Sequence, residues 1–369
     1  MASIASKEHY KAPANLNQLV EDKYKDNLAK GNLVFTDTES KTVKNPALGE
    51  KYWVTYAPSL NHKPERSDEP TKNPFEDPEP ELTVVETVND DYRLVLNKFP
   101  IIPNHLLLVT KEFKSQNSPL TPKDLYTAYK LVQALDPKND DDGSDSDSDD
   151  DDDQGTKRAP KKRHVVFYNC GPNSGSSVDH KHLQILELPS KLKSFQDKLV
   201  SANPEPYLPN LAKEPLQNDK LGFSHFVVPL PNEKNYASTA DALEMQEYLA
   251  MCFASLLQRT LSFFQQYDAE DETKVLPLSY NFIMTQDWMC LVPRKSAFGE
   301  VEVPIAEDEE QSSHNLKLGF NATGYMNMIL VKDENSKQKI HSSGKLIDEL
   351  LTVCAFPNSA NYKPDEYDY

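Results

Sequence analysis

Apolar residues recur at helical spacing through NLNQLVEDKYKDNLAK (15–30), and Gly31 follows as a stop, so a short amphipathic helix is expected there. NLVFTDTE and KYWVTYAPSL come next, rich in β-branched and aromatic residues, and read as strands. From Lys63 to Pro80 prolines and charges crowd together, and an irregular loop is expected. ELTVVETV, DYRLVLNKF and HLLLVTKEF then read as three antiparallel strands, the last two joined by the turn PIIPN. Thr121-Pro122-Lys123-Asp124 opens a helix with a hydroxyl cap, a proline in the first turn and an acid near the positive helix end. That helix runs to about Leu135.

Further on, RHVVFYNC, VDHKHLQILEL and FSHFVVPLP read as strands. Residues 239–266 carry Leu243, Leu249, Phe253, Leu256, Leu257, Leu261 and Phe264 near helical spacing, the mark of a long core helix. SYNFIMTQDWMCLVPR and TGYMNMILVK read as sheet strands, and KLIDELLTVCAF closes the pattern as a helix. Strands come in groups, without regular βαβ alternation. That predicts an α+β fold, a mostly antiparallel sheet flanked by helices, in one domain over residues 1–369.

One segment, 137–163, has a different character. It holds ten aspartates, from Asp140 to Asp153, and cannot bury apolar surface, so it is expected to be a disordered insert. Setting those aspartates aside moves the formal net charge from −18 to −8. Such a balance excludes a protein that coats nucleic acid or an anionic membrane. No apolar run approaches the ~20 residues of a membrane span, and the start MASIASKEHYKAP has no signal-like apolar core. The four cysteines lie far apart and read as reduced thiols of a cytoplasmic protein. KRAPKKR reads first as a basic counterweight to the aspartates and second as a nuclear import signal.

The chemistry concentrates in NCGPNSGSSVDHKHLQILEL. On a strand, alternate residues share a face, so His180, His182 and Gln184 fall in one row and Lys181, Leu183 and Ile185 in the other. Two imidazoles and an amide suit a reaction site better than a structural face. Upstream, Gly171 to Ser177 supplies glycines and serines, which can bring backbone N–H and hydroxyl donors to an oxyanion. A neutral imidazole beside such a cradle can attack phosphorus and hold the transferred group covalently. Taken singly, a His-x-His pair also fits a metal site, although no third ligand stands nearby in sequence, and a Gly/Ser loop also fits a plain turn.

DHKHLQ resembles the H-x-H-x-Q motif of the nucleotidyltransferase branch of the histidine-triad superfamily, where Gln replaces the third His of the hydrolases. YRLVLNKFPIIPNHLLLVTKEF is similar to the N-terminal half of that fold. SYNFIMTQDWMCLVPR and LGFNATGYMNMILVK are similar to the C-terminal portion of one family within the branch, the fungal diadenosine tetraphosphate phosphorylases. The resemblance runs from about Leu16 to Phe356, and the acidic tract is an enlarged variable insert within it.

The resemblance implies an elaborated histidine-triad fold. It also implies a reaction: diadenosine tetraphosphate plus phosphate gives ATP plus ADP, through AMP held on His182. Reversal, or use of adenosine phosphosulfate in place of the dinucleotide, is implied as well. It makes Gln184 a hydrogen-bond donor to a non-bridging oxygen and His180 a support for the nucleophile. Asn169, Gly175, Ser176 and Ser177 are implied around ribose and phosphates, Asn97 and Lys98 at the nucleoside pocket, and Lys63 over the polyphosphate. Asn281 is implied on the second nucleotide's side, with Thr285 and Gly324 as weaker candidates. His105 stands between a core histidine and a neighbour of the catalytic face.

No covalent cofactor or protein metal site is expected; Mg²⁺ would come with the polyphosphate. The partners expected are small nucleotides and phosphate, with no nucleic acid and no membrane, and the chain is expected to act as a monomer. Two alternatives stay open, and a third, a plain hydrolase, is disfavoured by Gln184 without being excluded. A hexose-1-phosphate uridylyltransferase of the same branch would carry H-P-H-x-Q, with proline in place of Lys181. A non-enzymatic dinucleotide sensor would bind without turnover.

Overall fold

The computed structural model describes residues 10–62, 73–136, 162–209, 214–231, 242–270, 276–303 and 315–359. Lys63, the acidic tract up to residue 161 and the first residues of the expected 239–266 helix lie outside the described residues.

Helix α1 (Leu16–Lys30) buries Leu16, Val20 and Tyr24 one turn apart. It ends where Gly31 takes a left-handed φ of 73° and its N–H bonds back to the Asn27 and Leu28 carbonyls. The strand expected at NLVFTDTE is instead an extended connector. The Val34 and Thr36 N–H groups bond to the Lys98 and Pro100 carbonyls, yet no ladder is formed there. The ladder begins at β1 (Glu39–Asn45), which pairs with β2 (Glu50–Tyr56), Val43 opposite Tyr52. Strand β1 escapes a hydropathy reading because only Val43 and Asn45 of ESKTVKN are buried.

Strands β3 (Thr83–Val88), β4 (Tyr92–Leu96) and β5 (Leu106–Thr110) form the expected antiparallel set. Helix α2 (Pro122–Leu135) starts at a reciprocal capping box between Thr121 and Asp124. Strands β6 (His164–Cys170) and β7 (His182–Glu187) follow, then α3 (Phe195–Ala202), an element the hydropathy pattern does not show. Next come β8 (Phe226–Pro229), α4 (Ala242–Glu270), and the hairpin of β9 (Tyr280–Met284) with β10 (Trp288–Pro293). Strands β11 (Phe298–Glu302) and β12 (Asn315–Gly319) make a separate ribbon. TGYMNMILVK is only half strand. Its first part is a 3-10 turn capped by the Asn321 side chain, and β13 (Met328–Val331) follows. Helices α5 (Glu334–Ser342) and α6 (Lys345–Cys354) complete the fold.

Eight strands join in the order β3-β4-β5-β7-β6-β9-β10-β8, each neighbouring pair antiparallel, which is the α+β architecture expected. Strand β13 adds to β2 in parallel to make a second, three-stranded sheet. The large sheet is apolar on both faces. One face, with Leu94, Leu108, Leu183, Ile185 and Phe282, packs against α1, α2 and α4. On the other, Val165, Phe167, Ile283 and Val292 meet α6 and the second sheet. That second face also carries Val95, Leu107 and Val109, which lie under Phe75. Between these two patches, β7 presents His182 and Gln184. Leu183 and Ile185, fully buried behind them, anchor the strand with ~2 kcal/mol each. No helix of the described residues is long and apolar enough to cross a membrane, and all four cysteines are buried free thiols.

Candidate active site

His182 is the first residue of β7 and is 4% exposed, at the floor of a cleft of about 380 Å³. The cleft is lined by Phe75, Pro78, Leu96, Asn97, Lys98, Ser177, His182 and Gln184, among others. His182 Nδ1 donates to the His180 carbonyl at 2.8 Å. That bond fixes the tautomer, so Nε2 carries the lone pair, and Nε2 has no hydrogen-bond partner among the described residues. Burial pushes the ring down to about 4, which keeps it unprotonated and nucleophilic near pH 7.

His180 precedes the strand rather than lying in it. Its Nε2 donates to the Thr110 carbonyl at 2.8 Å, and its Nδ1 accepts from Asn73 Nδ2 at 2.8 Å. Both histidine rings still share a face, since Phe75 packs against His182 at 4.9 Å and His180 at 5.9 Å between ring centroids. His180 therefore acts through its backbone carbonyl, with its ring pinning that carbonyl in place.

The orientation of Gln184 follows from a chain of three groups. Asn97 Oδ1 accepts from the Phe99 N–H at 3.0 Å, so Asn97 Nδ2 is the donor to His105 Nδ1 at 3.1 Å. His105 Nε2 then carries the proton and donates to Gln184 Oε1 at 3.0 Å. Burial also pushes His105 down to about 4, which keeps it neutral. Gln184 must turn its amide N–H groups away from His105, toward the cleft. His105 is thus the neighbour of the cleft face rather than a core histidine, and it aims the Gln184 amide. Lys98 lines the same cleft and pairs with Glu79 at 2.5 Å, a half-exposed pair of small energetic weight.

The glycine-serine loop is tightly built. Gly175 takes φ +81°, and a Cβ there would stand 2.5 Å from the Phe320 carbonyl, so only glycine fits. Ser177 lines the cleft, whereas Ser176 donates to the Gly171 carbonyl at 3.3 Å. Asn169 and Asn281 lie behind the loop. Asn281 is fully buried and donates to Asn169 Oδ1 at 2.8 Å and the Ser174 carbonyl at 2.9 Å, while its own oxygen accepts from Arg294. Asn281 braces the loop from behind and is not among the residues that line the cleft. Asn169 Oδ1 also accepts the Ala322 N–H at 3.0 Å, which ties the loop's base to the C-terminal elements.

Two expected site residues are elsewhere. Thr285 sits in the β9–β10 turn, where Oγ1 accepts from the Asp287 and Trp288 N–H groups; β9 meets β6 there beside Val166, at the opposite end from Asn169. Gly324 is packed against Phe320 and Leu351 in the second core, where a Cβ would come within 2.8 Å of the Phe320 ring. Lys63 lies outside the described residues. Missing from the sequence reading are Asn73, Phe75, Gln116 and Arg294, polar or aromatic residues of loops and strand ends whose neighbours are remote in sequence. Arg294 is fully buried and bonds to Ser296 and Phe320 carbonyls at 2.7 and 3.1 Å, with its guanidinium 4.7 Å over the Tyr325 ring.

Lys181 occupies the opposite face, as its alternation predicts. Its ammonium donates to Asp124 at 2.7 Å and to the Pro119 carbonyl at 2.8 Å, on the face of the sheet away from the cleft. Its backbone N–H also donates to the Lys114 carbonyl at 2.7 Å. Proline could supply neither contact, so the H-P-H-x-Q pattern does not fit this loop.

Three buried histidines share one property: His105, His182 and His225 are each pushed down to about 4 by burial. An unfolded histidine takes up its proton near pH ~6.5. Each buried ring therefore supports the fold fully above that pH and withdraws its support as pH falls toward 4. Unfolding free energy is expected to drop across this window by up to about 1.4 kcal/mol per pH unit for each ring. Urea titrations across the window check it; a flat profile contradicts it.

Known proteins resemble this chain along nearly its whole length. The family model described as Ap4A phosphorylase N-terminal domain matches residues 6–138 and 159–200, breaking off across the aspartates. The model described as ATP adenylyltransferase C-terminal domain matches residues 219–357. Protein APA1 of Saccharomyces cerevisiae is 43% identical over 97% of this chain and 99% of its own length. Diadenosine 5',5'''-P1,P4-tetraphosphate phosphorylase 2 of the same yeast is 43% identical over 96% of this chain and 99% of its own. The crystal structure of yeast Ap4A phosphorylase Apa2 in complex with Ap4A superposes with a TM-score of 0.75 at 41% identity, over 94% of this chain and 99% of that one. Near-complete coverage in both directions, with both halves matched in order, places this chain in the Ap4A phosphorylase family of ATP adenylyltransferases.

Proposed function

We propose that this chain cleaves diadenosine tetraphosphate with inorganic phosphate to ATP and ADP, through AMP bound covalently to His182. The observation that carries the proposal is the committed tautomer of His182. With Nδ1–H held by the His180 carbonyl, Nε2 meets the cleft as a neutral lone pair. Nε2 attacks an α-phosphorus, the bond to the bridging oxygen breaks, and ATP leaves with that electron pair. The adenylylated ring is then cationic, and its Nδ1–H bond to the His180 carbonyl becomes charge-assisted and stronger. In the second step a phosphate oxygen attacks the same phosphorus, the P–N bond breaks, and ADP leaves with the ring returned to neutrality. Two inversions give net retention at phosphorus.

Gln184 stabilises the charge that builds on a non-bridging oxygen by donating an amide N–H. A third histidine could act as acid or base toward an attacking water, whereas an amide cannot near neutral pH, which supports transfer to phosphate over hydrolysis. Mg²⁺ would be held by the substrate's polyphosphate oxygens, the hard ligands it prefers, and would supply neutralising charge there. The same intermediate is reachable from adenosine phosphosulfate, with sulfate leaving in place of ATP.

Product chromatography tests the reading. With diadenosine tetraphosphate, ATP and ADP are expected only when phosphate is present; with adenosine phosphosulfate and phosphate, ADP and sulfate are expected. ATP and AMP formed without phosphate would mark a hydrolase and overturn the role given to Gln184.

A further inference from the structure

Strands β6 and β7 pair from His164↔Glu187 to Phe167↔Gln184 and then part. The register would next bring Asn169 opposite His182. Instead β6 continues from Tyr168 to Cys170 against β9 alone. His182 stays beside Val109 of β5, but on its β6 side the opening leaves its backbone N–H and carbonyl without a strand partner, and this residue is the nucleophile.

The gap is filled by the Gln116 side chain, which arrives from the loop between β5 and α2. Its Oε1 accepts the His182 N–H at 2.9 Å. Its Nε2 donates to the His182 carbonyl at 3.2 Å and to the Asn169 carbonyl at 3.0 Å. The amide cannot be turned over, since a backbone N–H needs an acceptor and two carbonyls need donors. Gln116 is itself held at both backbone ends: its N–H donates to Asp179 at 2.8 Å, and its carbonyl accepts from the Tyr168 hydroxyl at 2.6 Å. It is 2% exposed and has no place among the cleft-lining residues.

We propose that Gln116 is a positioning residue for the adenylyl-transfer reaction, its side-chain amide standing in for the missing rung of sheet that fixes the backbone of His182. The inference rests on His182 being the nucleophile. The opening of β6 from β7 gives the imidazole room to reach into the cleft, and the amide keeps that opening from becoming freedom. In-line attack on phosphorus is sensitive to displacements of about 1 Å, each worth on the order of 10²-fold in rate. Gln116 makes no contact of its own with the cleft, so its loss acts on the rate of attack and leaves nucleotide binding in place.

The full-length chain with Gln116→Met, close to glutamine in length but unable to hydrogen-bond, is compared with wild type using diadenosine tetraphosphate and inorganic phosphate. A kcat lower by about 10- to 100-fold is expected, with KM within about threefold. Amide hydrogen exchange at His182, read on the free protein, is expected to speed up at least about tenfold. Gln116→Glu adds a second readout. Its carboxylate puts a negative charge against two carbonyls, whereas its protonated form restores one donor and the acceptor. The ratio of its kcat to wild type is therefore expected to rise as pH falls from about 8 to about 6, a range in which His182 stays neutral. Unchanged kcat in Gln116→Met, a loss confined to KM, or unaltered His182 exchange overturns the proposal. So does a Gln116→Glu ratio that is flat with pH. Wild type that fails to turn over would refute the assigned reaction, and His182 exchange would then decide the clamp by itself.

Discussion

His182→Ala is expected to lower kcat/KM for phosphorolysis by ~10⁴-fold or more, because the attacking atom is gone and no neighbour can replace it. His180 cannot, since both its ring nitrogens are engaged, Nε2 with the Thr110 carbonyl and Nδ1 with Asn73. His105 cannot either, with Asn97 on one nitrogen and Gln184 on the other. The fold should survive. His182 touches the small Phe75 cluster at the cleft floor rather than the main core, and the anchoring side chains of its strand, Leu183 and Ile185, remain. Dinucleotide binding by the alanine variant is accordingly expected to stay within a few-fold of wild type, measured by calorimetry. An alanine variant that still turns over at a tenth of the wild-type rate would remove His182 from the chemistry.

Lys181→Met is expected to destabilise the chain by ~3–5 kcal/mol, lowering the melting temperature by roughly 5–10 °C. The ammonium is 1% exposed and meets an equally buried Asp124. Burial alone would push the Asp124 carboxyl up, but Lys181, with help from Thr121 and Tyr92, holds it below the usual carboxylate range. Remove the lysine and a carboxylate is left in the core with the Tyr92 hydroxyl and the Thr121 N–H as its remaining named partners. Adding Asp124→Asn should recover part of the loss, since the uncompensated charge is gone while the amide still caps the helix. Thermal melts of the two singles and the double decide this. Equal losses in Lys181→Met and the double variant would mean that the cost is packing and not charge.

Much of this fold is legible in the sequence because period-2 alternation is a direct image of a two-faced sheet. His182 and Gln184 face one way, Lys181, Leu183 and Ile185 the other, and that holds in the structure. The alternation misleads where the ladder stops: His180 belongs to the approach, not to the strand, and its role is a carbonyl and a clamp. Strand β1 is invisible because one edge of a small sheet needs little apolar surface. Helix α3 left a signal that hydropathy does not carry, the Ser194–Asp197 capping box.

The outer parts of the site were less legible. A resemblance places Asn281 near a nucleotide, but sequence cannot separate an asparagine that faces a ligand from one that braces the loop behind it. Thr285 marks a tight turn that lacks glycine and proline, held by its own hydroxyl. Gln116 left no mark at all. An amide in a polar loop looks like any other until the chain brings it to the place where two strands part.

A covalent adenylyl group on His182 is open to direct detection. Wild-type protein is mixed with diadenosine tetraphosphate without phosphate, quenched, digested and mapped by mass spectrometry. One AMP on the peptide bearing His182 is expected, with ATP released in equal amount, and added phosphate should clear the adduct as ADP. Phosphate-dependent turnover with no adenylylated peptide, or an adduct on any other residue, would contradict the account.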